Sequence, residues 1–190
     1  MPPLSRRLCL ALLVGGLAAC SADNAPPPST VGGPFQMTDQ NGRAVDQTIL
    51  DGKWSAVFFG FTYCPDFCPT TLAALGAAER ELGRRAEDFQ TVFITVDPER
   101  DTPAQIKAYV ETEGFPRSTI GLTGTPEQVT AVTRAYKAYA KKVGEGDDYT
   151  VDHTTAVYLM DPKGRFVAPI AHGTSPAQVA AEIRDAMRQG

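Results

Sequence analysis

The chain has 190 residues, a net charge of −4 and 43% hydrophobic residues. That is enough for one globular domain with extra segments, and the mildly acidic balance gives no basis for expecting a nucleic-acid partner. Four cysteines and two histidines confine thiol or soft-metal chemistry to very few positions.

The chain opens on a targeting segment. Arg6 and Arg7 precede a short apolar stretch, residues 8–17, too short to span a bilayer. It ends in Leu17-Ala-Ala-Cys20, which is similar to a bacterial lipobox. Residues 1–19 therefore read as a lipoprotein signal peptide and Cys20 as the acylated first residue of the mature chain, held on the periplasmic, extracytoplasmic face of a bacterial membrane. An ordinary secretory signal with an incidental cysteine is the alternative. Residues 20–33, with Pro26-Pro-Pro28 and Gly32-Gly33, read as a semi-extended tether. Cys9 leaves with the signal and lipid blocks Cys20, so only Cys64 and Cys68 remain as thiols, in a compartment where disulfides persist.

Residues 34–190 form the domain. Residues 35–45 predict a hairpin turning at Asn41-Gly42. Residues 54–61 and 91–96 are apolar or β-branched runs that predict buried strands. Thr102-Pro103, Thr125-Pro126 and Ser175-Pro176 each predict a helix start. Leu72, Leu75 and Leu82 predict an earlier helix from about Thr70, and Val129, Val132, Tyr136 and Tyr139 share one helical face. Residues 119–122 form a short strand and residues 144–148 a polar loop. Two strands at 155–160 and 165–170 turn at Asp161-Pro-Lys-Gly164. The expected fold is α/β and thioredoxin-like: a central mixed sheet flanked by helices, with an N-terminal hairpin.

The organising stretch is Phe58-Phe-Gly-Phe-Thr-Tyr-Cys64-Pro-Asp-Phe-Cys68-Pro. Strand, cysteine loop and helix is the layout of a thioredoxin-like redox site, here with one residue more than C-x-x-C. A cysteine at a helix N-terminus ionises more easily, and its thiolate is both nucleophile and metal ligand. On one helical turn the two Cβ atoms would be roughly 5–6 Å apart. A relaxed disulfide needs about 4 Å. A small adjustment would close the bond, and a soft metal could bridge the sulfurs without one.

His153 stands just before the strand that opens the C-terminal hairpin, in the loop that faces the cysteines of a thioredoxin-like fold. No proline occurs between Gly144 and Met160 to serve as the cis-proline of thioredoxins. Cys64, Cys68 and His153 then offer two thiolates and one imidazole, suited to Cu(I) and, through the imidazole, to Cu(II). Taken alone, His153 also reads as a surface histidine bonded to Asp152. His172 reads as a solvated loop residue. Asp97, at the end of a central strand, could tune the cysteines or bond His153. Asp101 and Thr102 read as turn and cap chemistry, and Asp66 as an exposed charge favouring a nearby cation.

Three segments in order, the cysteine stretch, Thr95-Val-Asp97-Pro-Glu-Arg-Asp101-Thr-Pro103 and Tyr149-Thr-Val-Asp152-His153-Thr, followed by Tyr158-Leu-Met-Asp-Pro-Lys-Gly164, resemble the signatures of the Sco/SenC family over residues 34–190. The resemblance implies copper bound by Cys64, Cys68 and His153. It also implies a membrane-anchored metallochaperone that helps assemble the binuclear copper site of cytochrome c oxidase. The implied partner is the oxidase copper-site subunit or an intermediate copper chaperone, and the expected state is a monomer. Phe67 replaces a usual aliphatic residue and is expected to alter packing only. The lipobox replaces the more common transmembrane helix. The alternative is a thiol–disulfide oxidoreductase using Cys64 and Cys68 as a redox pair to reduce an acceptor's cysteines.

Overall fold

The structure is a computed structural model that describes residues 31–146 and 148–190. The expected signal peptide, Cys20 and the tether up to residue 30 lie outside the described residues. Gly32 N–H donates to the Ala135 carbonyl at 2.9 Å, so residues 31–33, which the sequence reading assigns to the tether, lie against the fold.

The two apolar runs become neighbouring parallel strands, β3 (Trp54–Gly60) and β4 (Phe89–Thr95), with every residue of both buried. Strands buried on both faces read as continuous apolar runs rather than alternating ones. The elements in order are β1 (Gln36–Asp39), β2 (Ala44–Asp46), β3, α1 (Phe67–Leu82), β4, α2 (Pro103–Val110), β5 (Thr119–Thr123), α3 (Pro126–Ala135), β6 (Ala140–Val143), β7 (Thr150–His153), β8 (Val157–Met160), β9 (Phe166–Ile170) and α4 (Pro176–Gln189). A seven-stranded sheet runs β2-β1-β5-β4-β3-β8-β9. β3, β4 and β5 are parallel, and the two hairpins extend the sheet antiparallel on either side. This is the expected mixed thioredoxin-like sheet with its N-terminal hairpin.

The core divides across β3. Phe58 meets Phe93, which meets Tyr109 of α2, while Phe59 meets Tyr136 and Tyr158. Each such ring contributes roughly 1.5–3 kcal/mol by leaving water. α1 runs close to the backbone beyond α2: a Cβ on Gly76 would lie 2.1 Å from the Gly114 carbonyl oxygen. Only a glycine permits that approach.

Three helices open alike. Thr102, Thr125 and Ser175 cap α2, α3 and α4, each with proline in the first turn and a glutamine closing a capping box.

Two boundaries differ from expectation. α1 begins at Phe67, so Cys68 lies in its first turn rather than in a loop. α3 stops at Ala135, and Lys137 takes a left-handed φ of 52°. Tyr136 is buried, but Tyr139, expected on the same helical face, is 55% exposed. The chain instead enters an unexpected hairpin, β6–β7, which forms a separate two-stranded sheet and carries His153 at its end.

Candidate metal centre

β3 delivers the cysteines. Gly60 ends the strand and has no side chain because Cys68 needs the space. A Cβ there would lie 2.7 Å from Cys68 Sγ and 2.8 Å from Phe93. The chain then turns, with Cys64 N–H donating to the Phe61 carbonyl at 3.1 Å. α1 lacks the cap its sister helices have: Asp66, at the N-cap position, makes no side-chain cap bond. Cys64 Sγ fills that role, accepting the Cys68 backbone N–H at 3.5 Å. Unpaired amides at a helix start favour an anion, so the missing carboxylate cap leaves that field to the sulfur.

The two thiols are unbridged and divide their charge unequally. The Cys68 S–H bond to Cys64 is the largest influence on Cys64. With the Asp66 and Cys68 amides and a smaller contribution from His153, it outweighs burial and brings the Cys64 thiol down to about 4. The same bond and complete burial push Cys68 well above the ordinary thiol range. An ordinary thiol, with a pKa near 8.5, is under about 1% thiolate at pH 6. In the reduced, metal-free protein, iodoacetamide should therefore modify Cys64 at a rate that is level through the neutral range and falls only near pH 4. Cys68 should stay unmodified. Mass spectrometry across a pH series checks this; a rate that halves near pH 8.5 contradicts it.

β7 delivers the histidine. His153 Nδ1 lies 2.9 Å from the Thr154 carbonyl oxygen, which can only accept. Nδ1 therefore carries a proton, and Nε2, 3.6 Å from Cys68 Sγ, faces the sulfurs. Phe61 and Phe58 hold the ring edge-on, with centroids 5.7 and 6.3 Å away. The ligand atoms of Cys64, Cys68 and His153 all lie within 4.8 Å of one another. Among the described residues this is the one cluster of three or more Cys, His, Asp or Glu side chains able to hold an ion. His153 is thus turned towards the sulfurs and not bonded to Asp152 as a surface histidine would be.

The 97–101 loop braces both arms. Asp101, expected to serve the turn, is fully buried. It accepts from Thr62 Oγ1 at 2.6 Å, Thr62 N–H at 3.1 Å and Thr95 Oγ1 at 2.6 Å, which ties the approach to the cysteines to β4. Burial pushes its carboxyl above the usual range, against the hydroxyl bonds. Its residue type in a Pro-Glu-Arg-Asp-Thr stretch carries no sign of that burial. Thr102 does cap α2 as expected. Asp97 lies close by, but its carboxylate is engaged by Arg100 Nε at 2.5 Å and Tyr149 O–H at 2.6 Å, not by His153. Asp66 is exposed as expected. His172 is exposed but not merely solvated. Its Nδ1 is 3.0 Å from Thr71 Oγ1, and Phe67 packs on it with centroids 4.9 Å apart. Phe67, 47% exposed, covers a histidine rather than filling the core.

A thioredoxin-like sheet with a loop-and-helix dithiol and a facing imidazole defines a thioredoxin-like protein with a Cys/Cys/His cluster able to hold a metal ion. The SCO1/SenC family profile matches residues 23–188, and the chain belongs to that family. It is 45% identical over 141 residues to SCO1 homolog 1 of Arabidopsis thaliana mitochondria, covering 73% of this chain and 42% of that protein, so it spans under half of that relative's length. Two solved structures match in fold. One is Bradyrhizobium japonicum ScoI with copper bound, at 46% identity and a TM-score of 0.74, covering 82% of this chain and 98% of that one. The other is Arabidopsis thaliana ScoI with copper bound, at 40% identity and a TM-score of 0.79, covering 84% and 99%.

Proposed function

We propose that this chain is a membrane-anchored copper metallochaperone that serves assembly of the binuclear copper site of cytochrome c oxidase. The observation that carries the reading is the convergence of Cys64 Sγ, Cys68 Sγ and His153 Nε2. Copper is cargo here. Two thiolates satisfy Cu(I), and the imidazole makes the same site acceptable to Cu(II). The copper bound in the two Sco structures above supports the choice of ion. The acceptor is the oxidase copper-site subunit or an intermediate chaperone, with the chain acting as a monomer. Delivery needs contact, because Cys68 is fully buried and Cys64 is only 8% exposed. Tyr63, Phe67 and Tyr139 are among the few large apolar side chains left exposed. They stand beside Cys64, beside Cys68, and on the segment paired with Thr154. Such patches suit a docking partner.

The unequal thiols also favour a second reading, a thiol–disulfide oxidoreductase that reduces an acceptor's cysteines, with Cys64 attacking and Cys68 resolving. Copper content after purification, measured beside an insulin-reduction assay, separates the two. Metallochaperone function predicts about one copper per chain and weak insulin reduction. A copper-free protein that reduces insulin readily contradicts it.

The anchor reading rests on the sequence of residues 6–20. Among the described residues no helix is long and apolar enough to cross a membrane. Several acyl chains on Cys20 would hold the protein stably at the periplasmic face, where one would not. Cys20→Ala should move the protein to the soluble fraction with copper binding unchanged, since the tether separates anchor from fold. A variant that stays with the membrane pellet contradicts the lipobox reading.

A further inference from the structure

We infer that Arg100 is the residue that holds His153 in register with the two sulfurs, a positioning role that rests on the copper-site reading above. The need for one follows from topology. The cysteines ride on the seven-stranded sheet and α1, but His153 ends a hairpin that belongs to a different, two-stranded sheet. Four residue pairs hold β6 to β7, and all of β6 is exposed. Within β7 only Val151 is buried, a single anchor two residues short of His153.

Arg100 touches both arms. Towards the hairpin, its guanidinium carbon lies 3.7 Å from the centre of the Tyr149 ring, and Nη1 donates to the Tyr149 carbonyl at 3.1 Å. Towards the cysteines, it lies 4.8 Å from the centre of the Tyr63 ring and 5.8 Å from that of Phe61. Tyr63 immediately precedes Cys64, and Phe61 packs on His153 itself. Asp97 orients the fork by accepting from Arg100 Nε and from the Tyr149 hydroxyl. Lys142 lies 3.6 Å from the Tyr149 ring centre and pairs with Glu99, but that pair is exposed and correspondingly weak. From Tyr149 the strand runs four residues to His153, roughly 13 Å at strand rise, so fixing Tyr149 fixes the far end of a stiff lever. A planar fork that both stacks and donates is a role lysine cannot reproduce.

The test compares the whole chain with Arg100→Ala and Arg100→Lys, each also in a His153→Ala background, using Cu(I) and Cu(II) titrations under anaerobic competition. Arg100→Ala should weaken Cu(II) about 10–100-fold, the scale of losing a ligand's support, and reduce its thiolate-to-copper absorption. Cu(I), held by the sulfurs, should change by under about tenfold. Arg100→Lys should fall between. In the His153→Ala background Arg100→Ala should add nothing, because the ligand it positions is gone. In the metal-free reduced protein, amide hydrogen exchange should rise in residues 140–143 and 150–153 while β3 and β4 stay protected. Equal loss of Cu(I) and Cu(II), additivity with His153→Ala, or unchanged hairpin exchange overturns the inference, and Arg100→Lys supplies the same readouts should Arg100→Ala not fold. A wild-type chain that binds neither ion instead overturns the copper-site reading.

Discussion

Replacing Cys64 or Cys68 by serine is expected to remove tight Cu(I) binding. Loss of an outer-shell partner alone costs a metal site roughly 10–100-fold. Losing one of two thiolates should exceed about 100-fold, because one thiolate and one imidazole make a poor soft site. The two variants reach that outcome differently. Cys64 carries the low thiol, held at about 4, and also accepts the Cys68 amide in the first turn of α1. A serine hydroxyl can still accept that amide, so the helix start survives and the loss is one of affinity. Cys68 is buried in the notch left by Gly60, and serine fits there without strain. Cys68→Ser puts a hydroxyl, still a donor to Cys64, where the S–H stood, so what is lost there is the second thiolate itself. Both variants should therefore fold with native circular dichroism and fail in chelator competition. Near-stoichiometric Cu(I) retention by either one contradicts the site.

His153→Ala is expected to split the two oxidation states. Cu(I) is satisfied by two thiolates and should weaken by about tenfold or less. Cu(II) is harder and prefers nitrogen donors, so its affinity should fall by more than about 100-fold, with the thiolate-to-copper absorption. The disulfide potential of Cys64 and Cys68 should move by less than about 30 mV, the shift of one tenfold change in the equilibrium. The reason lies in the causes of the low Cys64 thiol. The Cys68 S–H and two backbone amides come before the His153 contribution. A dedicated reductase would show the reverse: altered disulfide exchange and incidental copper. Titration with both ions, and equilibration in glutathione buffers, reads all three quantities on one purified variant. Cu(II) binding and absorption that survive intact contradict His153 as a ligand.

The parts of this fold legible in the sequence are those with a local physical cause. Thr102, Thr125 and Ser175 before proline marked three helix starts, and each forms a full capping box. The apolar runs of β3 and β4 marked buried parallel strands. The spacing Cys64-x-x-x-Cys68 and the missing proline near His153 point to the cluster that the fold brings together. What was illegible depends on partners distant in the chain. β6 reads Ala-Lys-Lys-Val and is exposed throughout, so it carries no alternation, and its pairing with β7 is visible only in three dimensions. Tyr136 and Tyr139 keep helical spacing past the helix end because one is buried and the other simply surfaces. Asp101 looks like a turn residue, and its acceptors' partners, Thr62 and Thr95, lie on two other segments. Asp97 lies just beyond β4, and its carboxylate takes Arg100 and Tyr149 rather than the histidine, partners that no spacing announces.

X-ray absorption at the copper edge of the Cu(I)-loaded chain tests the three-ligand centre most directly. Cys64, Cys68 and His153, with their ligand atoms already within 4.8 Å of one another, predict a first shell of two sulfurs and one nitrogen, reduced to the two sulfurs in His153→Ala. A shell with one sulfur or none, or a shell unchanged by His153→Ala, would contradict the account.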